Sequence, residues 1–204
     1  MRKELDSLVE STLNDEMVMN LISQRKEEFR GNGMASLEMK FSELTFCTLT
    51  ANTSAEMGIR CQQRLNETNL TDVGEIRRAL VQCKYRFPNT RSKFIAYNYG
   101  IRDKLNELIE KTDRRVALAD TYMGIGMKEA SHFLRNIGFF QYSILDKHIQ
   151  RFLASYYMTK IKIVNRRDYE RVEKLFMRLS KKYGMEPGIM DLVIWYIMTG
   201  KILK

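Results

Sequence analysis

Apolar residues recur along most of this chain with the three- and four-residue spacing of amphipathic helices. The clearest example ends at Gly184 and consists of Tyr169, Val172, Leu175, Phe176, Leu179 and Tyr183. No segment combines strict alternation of apolar and polar residues with the turn residues of a β-hairpin. The pattern therefore predicts an all-α fold of roughly ten helices.

Local signals place several helix boundaries. Helical spacing runs through residues 4–29, and the Gly-Asn-Gly of residues 31–33 predicts a break after it. A capping residue followed three positions later by Glu predicts a helix start, and this pattern occurs at Thr53 and at Asp72. Pro187 is predicted to begin the last helix and Gly200 to end it.

The segment around Pro88 is predicted to be a turn followed by a long helix. Proline disfavours helical geometry in the residue before it, so Phe87 is expected at a turn beside several cationic side chains. A helix is then expected from residue 89 to residue 111, weakened at Gly100.

The composition of the chain indicates which binding partners and which cellular compartment to expect. The chain has 204 residues and a formal net charge of +9, which allows one compact domain or two small lobes and favours a polyanionic partner. Charge does not distinguish DNA from RNA or from anionic lipid. The N-terminus carries acidic residues where a signal peptide is apolar, and no apolar run reaches about 20 residues. An intracellular protein of the cytoplasm or nucleoid, with no membrane partner, is therefore expected.

The three cysteines are expected to be reduced thiols. Cys47, Cys61 and Cys83 lack the close spacings of a zinc or iron–sulfur site, so no metal is expected from them. An odd number of cysteines also fits an intracellular protein without a disulfide framework.

A Gly-Ile-Gly turn at residues 124–126 is the first candidate for chemistry. It lies between two helix-like runs, and the run after it has an apolar stripe of Met127, Ala130, Phe133, Leu134 and Ile137. Lys128 lies off this stripe. Because Gly124 and Gly126 lack side chains, backbone N–H groups at the helix start can approach a phosphate closely. A plain helix–helix turn is the alternative interpretation.

Asp146 is the second candidate. It precedes a helical run at the position of an N-terminal cap, and capping together with the helix dipole favours its ionised form. An anion in this place can stabilise developing positive charge on a sugar ring or accept a proton from a lysine. A purely structural cap is the alternative.

Taken jointly, these residues resemble a known pattern. A Gly-x-Gly turn, Lys128 two residues after it, and a Leu-Asp-x-His-Ile run with Asp146 18 residues later resemble the helix-hairpin-helix DNA glycosylases, the superfamily of endonuclease III. The longer run of residues 124–138 is similar to the archaeal-type 8-oxoguanine DNA glycosylase/AP lyases. Residues 49–54, 86–88 and 195–204 share that similarity, which extends over nearly the whole chain.

The resemblance implies a bifunctional enzyme acting on double-stranded DNA that contains 8-oxoguanine or abasic sites. It implies two helical lobes around a DNA-binding cleft, one built from residues 1–38 and 146–204 and the other from residues 39–145. Lys128 would attack the sugar and Asp146 would stabilise charge. A monomer is expected on the same ground.

The resemblance also assigns residues that contact the duplex and the lesion. Asn52 and Phe87 would fill the space left by the flipped nucleotide, and Trp195 and Lys204 would form part of the damaged-base pocket. Burial at a turn for Phe87, core packing for Trp195 and a frayed end for Lys204 are the structural alternatives. The iron–sulfur cysteines of endonuclease III are absent, so no cofactor is expected, although the hairpin leaves room for a monovalent cation.

Two other functions stay open from the sequence. The same scaffold can act on another lesion, such as an oxidised pyrimidine, because the pocket decides the base. A helix-hairpin-helix DNA-binding module without catalysis would need the turn and basic residues but has no use for the Lys128/Asp146 pair.

Overall fold

The computed structural model describes residues 2–204. Over that range the chain forms twelve α-helices, a short 3₁₀ helix at Arg102–Lys104 and no strand, which confirms the all-α prediction. The helices are α1 (Arg2–Leu13), α2 (Glu16–Met34), α3 (Leu37–Thr50), α4 (Ala55–Leu65), α5 (Val73–Gln82), α6 (Pro88–Gly100), α7 (Leu105–Glu110), α8 (Arg114–Thr121), α9 (Met127–Asn136), α10 (Lys147–Tyr156), α11 (Arg166–Lys182) and α12 (Pro187–Thr199).

Contacts divide the chain into two compact units. The terminal unit consists of the residues as far as Gly31 together with Gly138–Lys204, and the central unit is Asn32–Ile137. The lobe boundaries expected from the sequence, after residues 38 and 145, lie seven and eight residues further along the chain than the observed ones. Helices α3 to α9 belong to the central unit, and α1, α10, α11 and α12 belong to the terminal unit.

The predicted break at residues 30–33 is wrong, because α2 continues to Met34. Glycine inside a helix costs about 1 kcal/mol relative to alanine, which a packing contact can offset. A Cβ at Gly33 would lie 2.4 Å from the carbonyl oxygen of Ile137, and the Asn32 side chain donates to the Asn136 carbonyl oxygen at 3.1 Å. Gly33 therefore permits a close contact with the end of α9.

Of the two helix starts predicted from capping residues, one is observed as predicted and the other lies one residue later. The Asp72 carboxylate caps α5 as predicted, accepting hydrogen bonds from the N–H groups of Gly74 and Glu75. The start predicted at Thr53 lies one residue later, where Ser54 accepts from the Met57 N–H at 3.2 Å. The Thr53 hydroxyl does not cap α4 because it donates to a carbonyl of the preceding helix.

The long helix predicted over residues 89–111 is interrupted. Helix α6 ends at Gly100, and the 3₁₀ turn and the short α7 follow it. Arg102 holds the chain at this break, since its guanidinium lies 4.1 Å from the ring centroid of Tyr99 and donates to the Tyr99 carbonyl at 3.0 Å. The weak position at Gly100 is thus where the helix stops.

A buried polar network fixes α9 within the central unit. The carboxylate of Glu43, on α3, accepts hydrogen bonds from the Gln62 amide at 3.0 Å and from the Asn136 amide at 2.9 Å. Buried charge is stable only when its hydrogen bonds are satisfied, so the three side chains fix the spacing of α3, α4 and α9.

Over residues 2–204 the structure contains no group of three or more His, Cys, Asp or Glu arranged to hold a metal ion. The three cysteines are buried thiols that form no disulfide, and burial raises the pKa of Cys61 to about 12. No helix in the same range is long and apolar enough to cross a membrane.

A polar cluster joins α1 to α10 and to the end of α11 in the terminal unit. One oxygen of Asp6 accepts hydrogen bonds from the hydroxyls of Tyr156 and Tyr183, at 2.6 and 2.5 Å, and from the Lys182 ammonium. Partial burial would raise the pKa of the Asp6 carboxyl, but the donors Lys182, Tyr156 and Tyr183 outweigh it and lower the pKa to about 2.

Asp6→Asn is expected to lower the melting temperature at neutral pH by about 2–8 °C, from the loss of about 1–2 kcal/mol of charged hydrogen bonding. Because the folded-state pKa is depressed, this stabilisation is present above about pH 4 and is lost as the pH falls towards 2. Thermal unfolding of both proteins from pH 7 to pH 2 measures the difference. A gap that stays constant down to pH 2 would contradict the role of the charge.

Candidate functional site

The predicted turn is a hairpin of residues 122–126 between α8 and α9. The buried side chain of Asn98 holds its first part, since its amide donates to the Met123 carbonyl at 3.0 Å and its oxygen accepts from the Met123 N–H at 2.8 Å. Ile125, at the centre of the hairpin, is buried. The hairpin is therefore fixed on both sides of Gly124.

Glycine is required at the two positions of the hairpin to different degrees and for different structural reasons. Gly124 has a φ of +76°, and a Cβ there would lie 2.7 Å from the Phe94 ring, so both backbone and packing require glycine. Gly126 has an ordinary φ of −99°, and its N–H donates to the Glu129 carboxylate at 3.2 Å. A Cβ at Gly126 would meet the same carboxylate oxygen at 3.3 Å.

Gly124→Ala is expected to destabilise the protein by about 2–4 kcal/mol, because it adds left-handed strain to a steric clash with Phe94. Gly126→Ala is the matched control and should cost less than about 1 kcal/mol, since the facing side chain can move. Urea unfolding of both variants gives the comparison. Equal costs at the two positions would show that the clash and the positive φ do not govern the hairpin.

Lys128 is the second residue of α9 and is partly buried, with 23% of its side chain exposed. Its Nζ lies 3.1 Å from Oε1 of Glu129, while Oε2 of Glu129 accepts from the Gly126 N–H. One carboxylate thus holds both the lysine and the helix start. The sequence contained a signal for this residue, because Glu at the third position of a helix commonly accepts from the capping residue's N–H.

The helix that carries Lys128 is enclosed beyond its first turn. Lys128 shares a helix face with Ser131, His132 and Arg135, and these three side chains are buried. The polar face of α9 beyond Lys128 is therefore enclosed and not exposed to solvent. This burial gives the lysine a rigid support.

Asp146 caps α10 as predicted. Its Oδ1 accepts from the Ile149 N–H at 2.8 Å, and its Oδ2 accepts from the indole N–H of Trp195 at 3.2 Å. Trp195 is half-buried on α12 and meets the His148 ring edge-on, with 5.8 Å between ring centroids. The structure thus brings two predicted site residues together, and it holds both carboxylate oxygens in place.

Lys204 is partly buried at the end of the segment that follows α12. That segment begins at Gly200, whose φ of +71° ends the helix as predicted. Lys204 and Trp195 both belong to the terminal unit, as does Asp146. Lys128 and both hairpin glycines belong to the central unit.

Asn52 and Phe87 occupy two loops of the central unit. Asn52 is exposed between α3 and α4 and has a φ of +66°, which is uncommon for a residue other than glycine. Phe87 precedes α6 and is partly buried against the core cluster of this unit, and the Arg86 guanidinium lies 5.0 Å from its ring centroid. The prediction that Phe87 lies at a turn is confirmed, and the residue is only partly buried.

The fold and the hairpin define a helix-hairpin-helix protein. The model of the family described as 8-oxoguanine DNA glycosylase matches residues 22–185, and the chain belongs to this family. The 8-oxoguanine DNA glycosylase/AP lyase of Thermoplasma acidophilum is 45% identical to it, over 98% of this chain and 100% of the relative. That of Picrophilus torridus is also 45% identical, over 91% of each chain.

Solved structures agree with the sequence relatives. The chain is similar to the Methanocaldococcus jannaschii 8-oxoguanine glycosylase/lyase, which was crystallised in complex with a 15mer DNA containing 8-oxoguanine. The TM-score is 0.90 at 33% identity, covering 97% of this chain and 98% of that one. The 8-oxoguanine DNA glycosylase of Thermotoga maritima gives a TM-score of 0.88 at 36% identity, covering 99% and 97%.

Proposed function

We propose that this chain is a bifunctional DNA glycosylase/AP lyase that removes 8-oxoguanine from duplex DNA. The observation that carries the proposal is the position of Lys128, held by Glu129 at the head of α9 directly after the Gly-Ile-Gly hairpin. A lysine amine in that place suits covalent attack on a sugar carbon. Family membership and the relatives' names support the choice of substrate.

The reaction begins with extrusion of the damaged nucleotide, because C1′ is not accessible within the stacked duplex. Asn52 and the accessible part of Phe87 would fill the space that the nucleotide leaves, and an aromatic ring can stack on the exposed neighbouring bases. The hairpin would bind a backbone phosphate at the N-terminus of α9. Since Glu129 accepts the Gly126 N–H, this carboxylate has to move for a phosphate to take its place.

The covalent step uses Lys128 as nucleophile. Its neutral amine attacks C1′, the bond between C1′ and the base breaks, and the base leaves with the bonding electrons and takes up a proton. The amine nitrogen then loses one proton, and its lone pair expels O4′, which takes up a proton as the sugar ring opens and the protonated Schiff base forms. The positive charge of this imine makes loss of the C2′ proton and of the 3′ phosphate easier. The Asp146 carboxylate would stabilise the positive charge that develops on the sugar.

The damaged base would lie against Trp195, with the Lys204 side chain supplying an ammonium group. The hydrogen bond from the Trp195 indole to Asp146 supports this arrangement, because it places the candidate pocket residue directly beside the candidate charge stabiliser. We further propose that the chain acts as a monomer in the compartment that holds chromosomal DNA, with no iron–sulfur cluster. We propose separately that the hairpin can bind a monovalent cation.

Single-turnover assays on four duplexes test this function. They contain 8-oxoguanine opposite cytosine, thymine glycol, uracil, or a preformed abasic site. We expect excision of 8-oxoguanine and cleavage at the abasic site, with little action on the two pyrimidine lesions. Preference for thymine glycol would support the alternative lesion, and binding without any cleavage would support a non-catalytic DNA-binding module.

A further inference from the structure

Two hydrogen bonds join the loop of Asn52 to the proline turn. Tyr85 and Arg91 lie on either side of that turn. The Tyr85 hydroxyl donates to the carbonyl of Leu49 at 2.8 Å, and Nη2 of Arg91 donates to the carbonyl of Ala51 at 3.1 Å. These carbonyls belong to the last residues before Asn52. The backbone at the base of one candidate wedge loop is thus held by side chains that flank the other.

Arg91 also reaches towards the hairpin. It is 9% exposed, and its guanidinium lies 5.5 Å from the ring centroid of Phe94. The same Phe94 ring packs against Gly124, where a Cβ would come within 2.7 Å of it. A continuous series of contacts therefore runs from the Ala51 carbonyl through Arg91 and Phe94 to the hairpin that presents Lys128.

Burial of this arginine has an energetic cost, and its contacts offset part of that cost. A buried guanidinium needs hydrogen bonds and polarisable neighbours in place of water. Here a carbonyl accepts from Nη2 and the Phe94 ring lies beside the group, while Nε has no hydrogen-bond partner among residues 2–204. Burial raises the pKa of the Tyr85 phenol, and the nearby Arg91 charge acts in the opposite direction, as expected of two groups in close proximity. An aliphatic residue would make neither the hydrogen bond nor the cation–π contact.

We propose that Arg91 is a positioning residue that holds the Asn52 loop and the Phe87 turn as one unit on the hairpin. The two wedge side chains then enter the duplex in a fixed register relative to Lys128. This inference rests on the proposed function, because it assigns Arg91 a role in nucleotide extrusion. Arg91 acts through Asn52 and Phe87 and does not take part in bond breaking.

The test compares excision of 8-oxoguanine, which needs full extrusion of a paired nucleotide, with cleavage at an abasic site, which needs less. For Arg91→Met, the single-turnover excision of 8-oxoguanine paired with cytosine should fall about 10- to 100-fold, as expected for loss of a charged hydrogen bond. Cleavage at a preformed abasic site, which has no base to unpair and unstack, should change less than about threefold. A 2-aminopurine next to the lesion should show a slower fluorescence rise by a similar factor.

Repeating the Arg91→Met substitution in a protein without the wedge side chains distinguishes a positioning role of Arg91 from a general structural role. In the Asn52→Gly/Phe87→Ala protein, which lacks both wedge side chains, Arg91→Met should reduce excision by less than about twofold, because interacting residues are not additive. Tyr85→Phe removes only the hydroxyl and should lower excision in the same direction with a smaller effect on folding. Arg64→Met, which removes an exposed positive charge from α4, is the control for net charge.

The outcomes are distinct. Equal losses on the 8-oxoguanine and abasic duplexes, or an undiminished effect of Arg91→Met in the wedge-less protein, would overturn the inference. A wild-type excision rate for Arg91→Met would do the same. Wild-type protein that fails to excise 8-oxoguanine would instead contradict the proposed function, whatever Arg91 does.

Discussion

Lys128→Gln is expected to lose base excision and strand cleavage together, with single-turnover rates lower by at least about 1000-fold. Glutamine has a similar length but no nucleophilic amine, so it cannot form the covalent bond to C1′. The amide can still accept and donate hydrogen bonds near Glu129, so the hairpin should keep its structure. Denaturing gels of the 8-oxoguanine and abasic duplexes measure both losses.

Lys174→Gln is the matched control for this prediction. Lys174 is exposed on α11, so its substitution removes the same charge from the protein without altering the hairpin. It should cleave both duplexes at the wild-type rate. If Lys128→Gln retained glycosylase activity and lost only strand cleavage, the base would be displaced by water, and the mechanism would be that of a monofunctional enzyme.

Asp146→Asn is expected to reduce excision by about 100- to 1000-fold, because it removes the carboxylate charge that we propose stabilises the cationic sugar. Asparagine is as good an N-terminal cap as aspartate, so the stability of α10 should change by less than about 1 kcal/mol. Rates and urea unfolding measured on the same preparation separate catalysis from capping. A wild-type rate in Asp146→Asn would leave Asp146 as a structural cap only.

Trp195→Phe is a milder change at the same place. It keeps the aromatic ring and the Asp146 charge but removes the indole N–H that holds Oδ2. We expect a loss of about 10-fold, the equivalent of one hydrogen bond to a charged group. On the abasic duplex, where no base is present to stack on the ring, a loss remains only if Trp195 acts through Asp146.

Elements that depend on neighbouring residues could be predicted from the sequence. Asp72 and Asp146 cap their helices because the side chain of a cap bonds to an N–H two or three residues away. Gly200 ends α12 because only the local backbone conformation matters there. The hairpin and its lysine were likewise predicted from a short motif.

Elements that depend on distant residues could not be predicted. From the sequence alone, Gly33 is predicted to break the helix. Its reason for being glycine is the close packing of the distant residue Ile137, which only the structure shows. The bonds from Trp195 to Asp146 and from Arg91 to Ala51 join residues far apart in the chain, and no periodicity encodes them. The resemblance therefore assigned candidate residues to the reaction from the sequence, while the contacts that hold those residues in place required the structure.

Covalent trapping tests the central claim most directly. Wild-type protein incubated with the 8-oxoguanine duplex and sodium borohydride should give a stable protein–DNA crosslink, because the hydride reduces the Schiff base between the lysine and C1′. Peptide mapping of the crosslink should place the DNA on Lys128. No crosslink from active wild-type protein, or a crosslink of undiminished yield from Lys128→Gln, would contradict the account.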